Sequence, residues 1–258
     1  RLLVGVTALV AVTAAQAGAI DDAVKRGTLK VGMDPTYMPF QMTNKRGEII
    51  GFEVDILKAM AKSIGVKFEA VSTAYDGIIP ALLTVKFDLL MGGMTVTPEL
   101  NLQVNFANPY IVVGQSVVLN KKLEARVKSH EQLNSPEYTI ATKLGTTGDI
   151  AAHKYMPRAH IKQFESEADA ATEVRNGRAD AFVYDLPFNA VYVVQNPDKL
   201  VHLKEPFTYE PLAWAVRKGD PDFINWLNNF LMLSKGDGSY DALYRKWFES
   251  SVWLKNVN

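Results

Sequence analysis

Polar and aromatic side chains follow the ends of several predicted strands, at positions where an α/β protein forms a binding cleft. Carboxylate groups, hydroxyl groups and aromatic rings occur among them, and together they could hold a small polar or cationic solute. Ligands of open α/β sheets bind in the crevice beyond the carboxyl ends of the strands, so we expect these side chains to line one cleft. The candidates from this pattern are Asp34, Tyr37, Tyr75, Gly93, Thr95, Lys143, Thr147 and Asp185.

The composition of the chain excludes several other kinds of site. None of the 258 residues is cysteine, which rules out disulfide scaffolds, thiolate nucleophiles and cysteine-ligated zinc or iron–sulfur clusters. With only four histidines in the chain, no metal site and no cofactor is predicted. The 28 Lys and Arg residues balance the 28 Asp and Glu residues, and a formal net charge of zero argues against a nucleic-acid-binding protein.

Residues 1–17 differ in character from the rest of the chain. Arg1 precedes an uncharged apolar run over residues 2–15, and Ala15 and Ala17 are the small residues of a cleavage site. This pattern is typical of a secretory signal peptide, and the run is shorter than the roughly 20 apolar residues of a membrane span. We therefore expect export to the periplasm. A buried N-terminal helix and an uncut membrane tether are the alternatives.

Short β-type runs alternate with helical patterns in the rest of the chain, which favours an α/β architecture. In the predicted helix over residues 52–64, apolar residues recur every four positions from Ile56, and Gly65 ends the helix. Thr97 followed by Pro98 is typical of a helix start. The predicted strands cover residues 29–33, 67–71, 87–91, 110–119, 138–141, 181–184 and 212–216.

Eight short motifs occur along the chain in the order found in a known family. They lie at residues 51–55, 77–82, 87–88, 92–99, 106–110, 144–148, 177–180 and 240–248. With these motifs the chain resembles the polar amino-acid-binding family of periplasmic solute-binding proteins, which feed ABC importers, and most of all its lysine/arginine-type members. The match covers nearly all of the chain after residue 17.

The resemblance implies a fold of two α/β lobes, each a sheet flanked by helices, joined by two hinge strands. Lobe 1 would comprise residues 18–110 and 211–258, and lobe 2 would comprise residues 115–206. The hinges would lie at residues 110–114 and 207–211, and the lobes would close on the ligand by a hinge motion. The implied partners are a small-molecule ligand and the membrane permease of an ABC importer, with no nucleic acid, and a monomer is expected.

The resemblance also implies roles for the candidate side chains. Asp34 would meet the side-chain amine or amide of the ligand. Asp185 would be the counter-ion of the ligand's α-ammonium group. Tyr37 and Tyr75 would hold the aliphatic part of the ligand between their rings.

The end of the implied site that would receive an α-carboxylate departs from the family pattern. Gly93 and Thr95 would accept from the α-ammonium and donate to the α-carboxylate, and Thr147 would donate from lobe 2. Leu100 stands where the family usually has an Arg, whose guanidinium forms a bidentate bond with the carboxylate. Losing such a charged partner typically costs about 2–5 kcal/mol of affinity. Either Lys143 replaces that Arg, or the ligand is a small cation without the carboxylate.

Several candidates also have a simpler structural interpretation. Thr147 could be only the N-cap of the next helix, and Lys143 could be a solvated surface charge. The rings of Tyr37 and Tyr75 could be core aromatics, and Asp34 could only cap a turn.

The leading hypothesis is an extracytoplasmic solute-binding protein, not an enzyme. It would capture a small polar or cationic solute, such as an amino acid or a derivative of one, and deliver it to an ABC importer. Two alternatives use the same scaffold. One is an enzyme of the cyclohexadienyl dehydratase type, which needs a carboxylic acid in the cleft as general acid. The other is a ligand-sensing module for a separate membrane protein.

Overall fold

The computed structural model describes residues 18–257, so the predicted signal peptide over residues 1–17 lies outside the described residues. The strands in this range are β1 (Thr28–Met33), β2 (Met42–Thr43), β3 (Ile49–Ile50), β4 (Lys67–Ser72), β5 (Leu89–Leu90), β6 (Asn105–Phe106), β7 (Ile111–Val113), β8 (Gln115–Asn120), β9 (Thr139–Lys143), β10 (His160–Phe164), β11 (Ala181–Asp185), β12 (Leu200–Leu203), β13 (Glu210–Leu212) and β14 (Ala215–Val216). The α-helices are α1 (Ala19–Arg26), α2 (Phe52–Ser63), α3 (Ile78–Leu83), α4 (Pro98–Asn101), α5 (Thr147–Tyr155), α6 (Glu167–Arg175), α7 (Leu186–Gln195), α8 (Pro221–Gly236) and α9 (Ser239–Tyr244). Over this range, none of the helices is both long enough and apolar enough to cross a membrane.

The first five-stranded sheet has the strand order β4-β1-β5-β14-β6. β1 runs parallel to β4 and β5, whereas β14 runs antiparallel to β5 and β6. Because β1 and β5 are parallel, their carboxyl ends lie at the same edge of the sheet, where Asp34 and Gly93 follow them. This sheet and the helices that pack with it, among them α1, α2 and α3, form lobe 1.

The second five-stranded sheet has the order β10-β9-β11-β8-β12 and forms lobe 2 with α5, α6 and α7. β9 runs parallel to β10 and β11, and β8 runs antiparallel to β11 and β12. Lys143 ends β9 and Asp185 ends β11, so both side chains stand at the carboxyl edge of this sheet. Each sheet therefore places charged candidates at the edge where α/β proteins bind ligands.

The chain passes between the lobes through β7 and β13, which pair antiparallel with Val113 opposite Glu210. The extended run predicted over residues 110–119 consists of two strands, because β7 pairs with β13 whereas β8 belongs to the second sheet. Gly114 separates these two strands, and a Cβ there would lie 2.6 Å from the backbone oxygen of Thr208. Only glycine lets the two crossing segments approach this closely.

Helix α2 shows how the apolar pattern builds lobe 1. Ile56 and Met60 are buried against the lobe, whereas Lys58 on the other face is exposed. Burying one such apolar side chain stabilises the fold by roughly 1.5–3 kcal/mol. The helix ends before Gly65, whose φ of 69° lies in the left-handed region that favours glycine. The predicted helix over residues 52–64 is thus confirmed to within one residue.

Candidate functional site

Lys143 lies buried in the cleft between the lobes, with 1% of its side chain exposed. Its Nζ is 2.6 Å from Oδ2 of Asp34 in lobe 1 and 2.7 Å from Oε2 of Glu167 in lobe 2. The ammonium also lies 5.4 Å from the centroid of the Tyr75 ring. Burial lowers the Lys143 pKa, but the charges of Glu167 and Asp34 outweigh this effect and raise it above its ordinary value. The side chain is therefore a buried cation, and its interpretation as a solvated surface charge is wrong.

Two side chains that the sequence interpretation missed complete the Lys143 cluster. The hydroxyl oxygen of Thr36 lies 2.9 Å from Oδ1 of Asp34 and 3.0 Å from Oε2 of Glu167. Glu167 is the first residue of α6, directly after the N-cap Ser166. A polar residue at that position predicts only a helix start, so the sequence contains no pattern that marks it as part of a cleft.

Asp185 forms a second cluster with side chains from both lobes. Its carboxylate accepts a hydrogen bond from the hydroxyl of Tyr37 in lobe 1, and one from Nε2 of Gln115 in lobe 2 at 2.5 Å. Burial and the nearby charges of Glu210 and Glu167 raise the Asp185 pKa to about 7, although the bonds from Tyr37 and Gln115 lower it. A cation beside this carboxylate would favour its ionised form.

Gln115, also missed from the sequence, connects Asp185 to two hydroxyl groups. Its Nε2 lies 3.2 Å from Oγ1 of Thr147, and Thr147 Oγ1 lies 3.4 Å from Oγ1 of Thr95 across the cleft. The N-cap of α5 is Thr146, whose hydroxyl accepts a backbone N–H of the first turn. The interpretation of Thr147 as that N-cap is therefore wrong. Its hydroxyl lies near the Gln115 amide and the Thr95 hydroxyl instead.

The backbone of Gly93 packs closely against the ring of Tyr37. Gly93 has a φ of 60°, and a Cβ there would lie 2.2 Å from the Tyr37 ring. Tyr37 is buried and stacks on Phe40 with ring centroids 4.5 Å apart, so its ring is part of the core as well. Tyr75 is only partly buried. The core interpretation thus applies to the ring of Tyr37, while its hydroxyl belongs to the Asp185 cluster.

Leu100 lies in the first turn of α4, where the sequence predicts it. Thr97 is the N-cap, and its Oγ1 accepts the Leu100 N–H at 3.2 Å. The partly buried Leu100 side chain packs against an apolar cluster of lobe 1 that includes Ile78, Met94 and Val104. Position 100 therefore supplies apolar surface and no charge.

A buried carboxylate lies behind Gly93. Glu53 in α2 is fully buried, and its carboxylate oxygens have no hydrogen-bond partner of standard geometry among the residues that the structure describes. Burial raises the Glu53 pKa to about 7, while the approach of the Tyr110 hydroxyl, the Gly93 N–H and the Trp214 indole lowers it. Tyr110 precedes β7 and Trp214 follows β13, and their rings stack with centroids 5.2 Å apart. Glu53 thus lies beside the residues at which both connecting strands, β7 and β13, join lobe 1.

A cavity of about 170 Å³ opens at the rim of the cleft, next to the segments that carry Tyr75 and Lys143. It is lined by Ala74, Asp76, Leu144 and Glu165. Within residues 18–257, no group of three or more His, Asp and Glu side chains is arranged to hold a metal ion.

Comparisons with known proteins identify the family. Residues 29–250 match the family described as bacterial extracellular solute-binding proteins, family 3. The chain is 27% identical to the L-cystine-binding protein of Escherichia coli strain K12, over 92% of this chain and 89% of that protein.

Two solved structures resemble the chain more strongly. A binding component of an ABC transporter from Wolinella succinogenes, complexed with lysine, is 52% identical with a TM-score of 0.87, over 89% of this chain and 99% of that chain. An ancestral amino-acid-binding protein, described as a precursor of cyclohexadienyl dehydratase, is 48% identical with a TM-score of 0.85, over 90% of this chain and 100% of that chain. These matches confirm the predicted resemblance and the two-lobed α/β fold, and the chain belongs to the bacterial extracellular solute-binding proteins of family 3.

Proposed function

We propose that this protein captures a cationic amino acid of the lysine or arginine type and delivers it to an ABC importer. The charge of the cleft carries this proposal. Four buried carboxylates, those of Asp34, Glu167, Asp185 and Glu210, are accompanied by one buried ammonium group, that of Lys143, among the described residues. Such an excess of buried negative charge is stabilised by a bound cation.

Two features of the cleft suit an ammonium group. Asp185 is held partly protonated near neutral pH, because its pKa is about 7, and a cationic ligand would restore its charge. Burial raises the pKa of Tyr75, and the charges of Asp185, Glu210 and Asp34 raise it further, so these carboxylates lie near its hydroxyl. A ligand ammonium near this ring would gain from both the carboxylates and the π face.

The comparison with the Wolinella succinogenes protein supports the same ligand class. That protein was solved in complex with lysine, and it shares 52% of its residues with this chain. The ligand-binding roles of the candidate side chains stay predictions. These are the roles of Asp34, Tyr37, Tyr75, Gly93, Thr95, Leu100, Lys143, Thr147 and Asp185.

We also propose how the lobes move. Residues 18–110 and 211–258 would form lobe 1, residues 115–206 lobe 2, and residues 110–114 and 207–211 the hinges. β7 and β13 support these limits, because their pairing is the link between the two sheets. The protein would work outside the cytoplasm as a monomer and would catalyse no reaction.

The test is a calorimetric titration of the purified protein, unfolded and refolded beforehand to remove any carried ligand. Lysine and arginine should bind at least about tenfold more tightly than glutamine or glutamate. Asp185→Asn should weaken lysine binding strongly, whereas Asp198→Asn, at an exposed position, should not. Preference for glutamate, or no binding of any amino acid, would overturn the proposal. Turnover of prephenate or arogenate that is lost in Asp185→Asn would favour the dehydratase instead.

A further inference from the structure

We propose that the same cleft binds α,ω-diamines, cations without a carboxylate, with an affinity within about tenfold of the amino acid of equal chain length. The inference rests on the proposed function, because both ligands would use the same carboxylates. It concerns the end of the site that would receive the α-carboxylate of an amino acid.

The side chains at that end carry no free positive charge. Thr95 and Thr147 offer hydroxyl groups, and Gln115 offers an amide that already donates to Asp185. Leu100, which the resemblance assigns to this end, packs against the apolar cluster of lobe 1 and carries no charge. A carboxylate that leaves water needs a charged or multiple hydrogen-bonding partner to recover its hydration energy.

Lys143 cannot supply this charge without giving up its present partners. Its ammonium lies 2.6 Å from Asp34 and 2.7 Å from Glu167, so two carboxylates already share it. Across residues 18–257, every ion pair made by the carboxylates of Asp34, Glu167, Asp185 and Glu210 involves Lys143. A ligand carboxylate would be a fifth negative group around a single cation.

The start of α5 does not replace the missing charge either. Helix N-termini attract anions, and Thr147 is the first residue of this helix. The same turn, however, contains the buried carboxylate of Asp149, which accepts from Thr142 at 2.8 Å and from Gln163 at 2.7 Å. A resident carboxylate in the first turn offsets the partial positive charge that a ligand carboxylate would use.

Ammonium groups, unlike a carboxylate, reduce the net negative charge of the cleft. With all groups ionised, the four carboxylates and the Lys143 ammonium leave three negative charges in the cleft. Lysine, with one net positive charge, would reduce these to two, and a diamine with two positive charges would reduce them to one. The carboxylate of an amino acid therefore adds repulsion here without adding a charged partner.

The test compares lysine with 1,5-diaminopentane, which is lysine without its carboxylate, by calorimetric titration of the whole protein. The two dissociation constants should agree within about tenfold for the unchanged protein. Leu100→Arg should shift the ratio of the two dissociation constants by about thirtyfold or more in favour of lysine, since it adds a bidentate partner for the carboxylate. Leu102→Arg adds the same charge at a side chain that is 76% exposed, and it should leave the ratio unchanged.

The outcomes separate this inference from the proposed function. If lysine binds more than about tenfold tighter than the diamine in the unchanged protein, the inference is wrong and the proposed function stands. If neither compound nor any amino acid binds, the proposed function fails and the inference fails with it. Should Leu100→Arg not fold, lysine amide against lysine in the unchanged protein decides the question. The inference then requires that the amide binds no more than about tenfold more weakly than lysine.

Discussion

The Lys143 ammonium in lobe 2 lies 2.6 Å from a carboxylate oxygen of Asp34 in lobe 1. The same nitrogen lies 2.7 Å from Glu167 of its own lobe, so one cation separates two carboxylates that would otherwise face each other. This arrangement ties the lobes together at the cleft. The contact between the lobes at this point therefore depends on the charge of Lys143.

Lys143→Met should destabilise the protein by about 3 kcal/mol or more, because it leaves two buried carboxylates without their cation. Urea denaturation measures the effect. Lys122→Met, at an exposed position, is the matched control and should change the free energy of unfolding by less than about 0.5 kcal/mol. Adding Glu167→Gln to Lys143→Met should recover part of the loss. Equal effects of Lys143→Met and Lys122→Met would show that the ion pair contributes little.

Stability should fall as the pH rises between about 4.5 and about 7, the two pKa values of Glu53 in the unfolded and folded protein. In this interval the unfolded chain has lost the Glu53 proton while the folded protein keeps it, so ionisation favours unfolding. Glu53 alone accounts for about 3 kcal/mol of this decline. Above pH 7 its contribution is constant.

Glu53→Gln should flatten this pH dependence, as measured by urea denaturation at a series of pH values. Glu205→Gln, at an exposed position, should leave the profile unchanged. Asp185 contributes a decline of the same sign, since its pKa is also raised to about 7, so some slope should persist in Glu53→Gln. An unchanged profile in Glu53→Gln would mean that its carboxyl titrates normally.

Lysine affinity should rise with pH up to about 7 and then level off, because the ligand ammonium binds the ionised form of Asp185. Below that pH the affinity should fall by up to about tenfold per unit. Titration in buffers of different ionisation enthalpy should show proton release on binding near pH 6. Asp185→Asn should abolish both effects, and Asp198→Asn should preserve them. Proton uptake on binding would be incompatible with this assignment.

Gly93→Ala should disrupt the site, because the added Cβ would lie 2.2 Å from the Tyr37 ring in a backbone with a φ of 60°. Tyr37 would move and lose its bond to Asp185, so both stability and lysine affinity should drop. Gly219→Ala is the control, since Gly219 has a φ of 85° but a Cβ added there would meet no described atom within 4 Å. It should cost only the backbone strain of about 1–2 kcal/mol. Similar losses in both variants would rule out a specific role for the contact with Tyr37.

The sequence by itself determined the features that depend on local pattern. The apolar spacing from Ile56 and the glycine at 65 specify α2, because helix periodicity and left-handed backbone are local properties. Thr97 and Pro98 likewise specify the start of α4 and thereby the position of Leu100. The order of motifs also predicts the family and the two-lobed fold, which the comparisons confirm.

Only the tertiary structure decided which charges meet. Asp34 and Lys143 are 109 residues apart, and Glu167 lies 24 residues beyond Lys143, in a position that looks like an ordinary helix start. The burial of Lys143 and the polar link through Gln115 both arise where the two lobes face each other. Side-chain burial and ion pairing depend on the distances between distant segments, and a linear pattern carries no information about those distances.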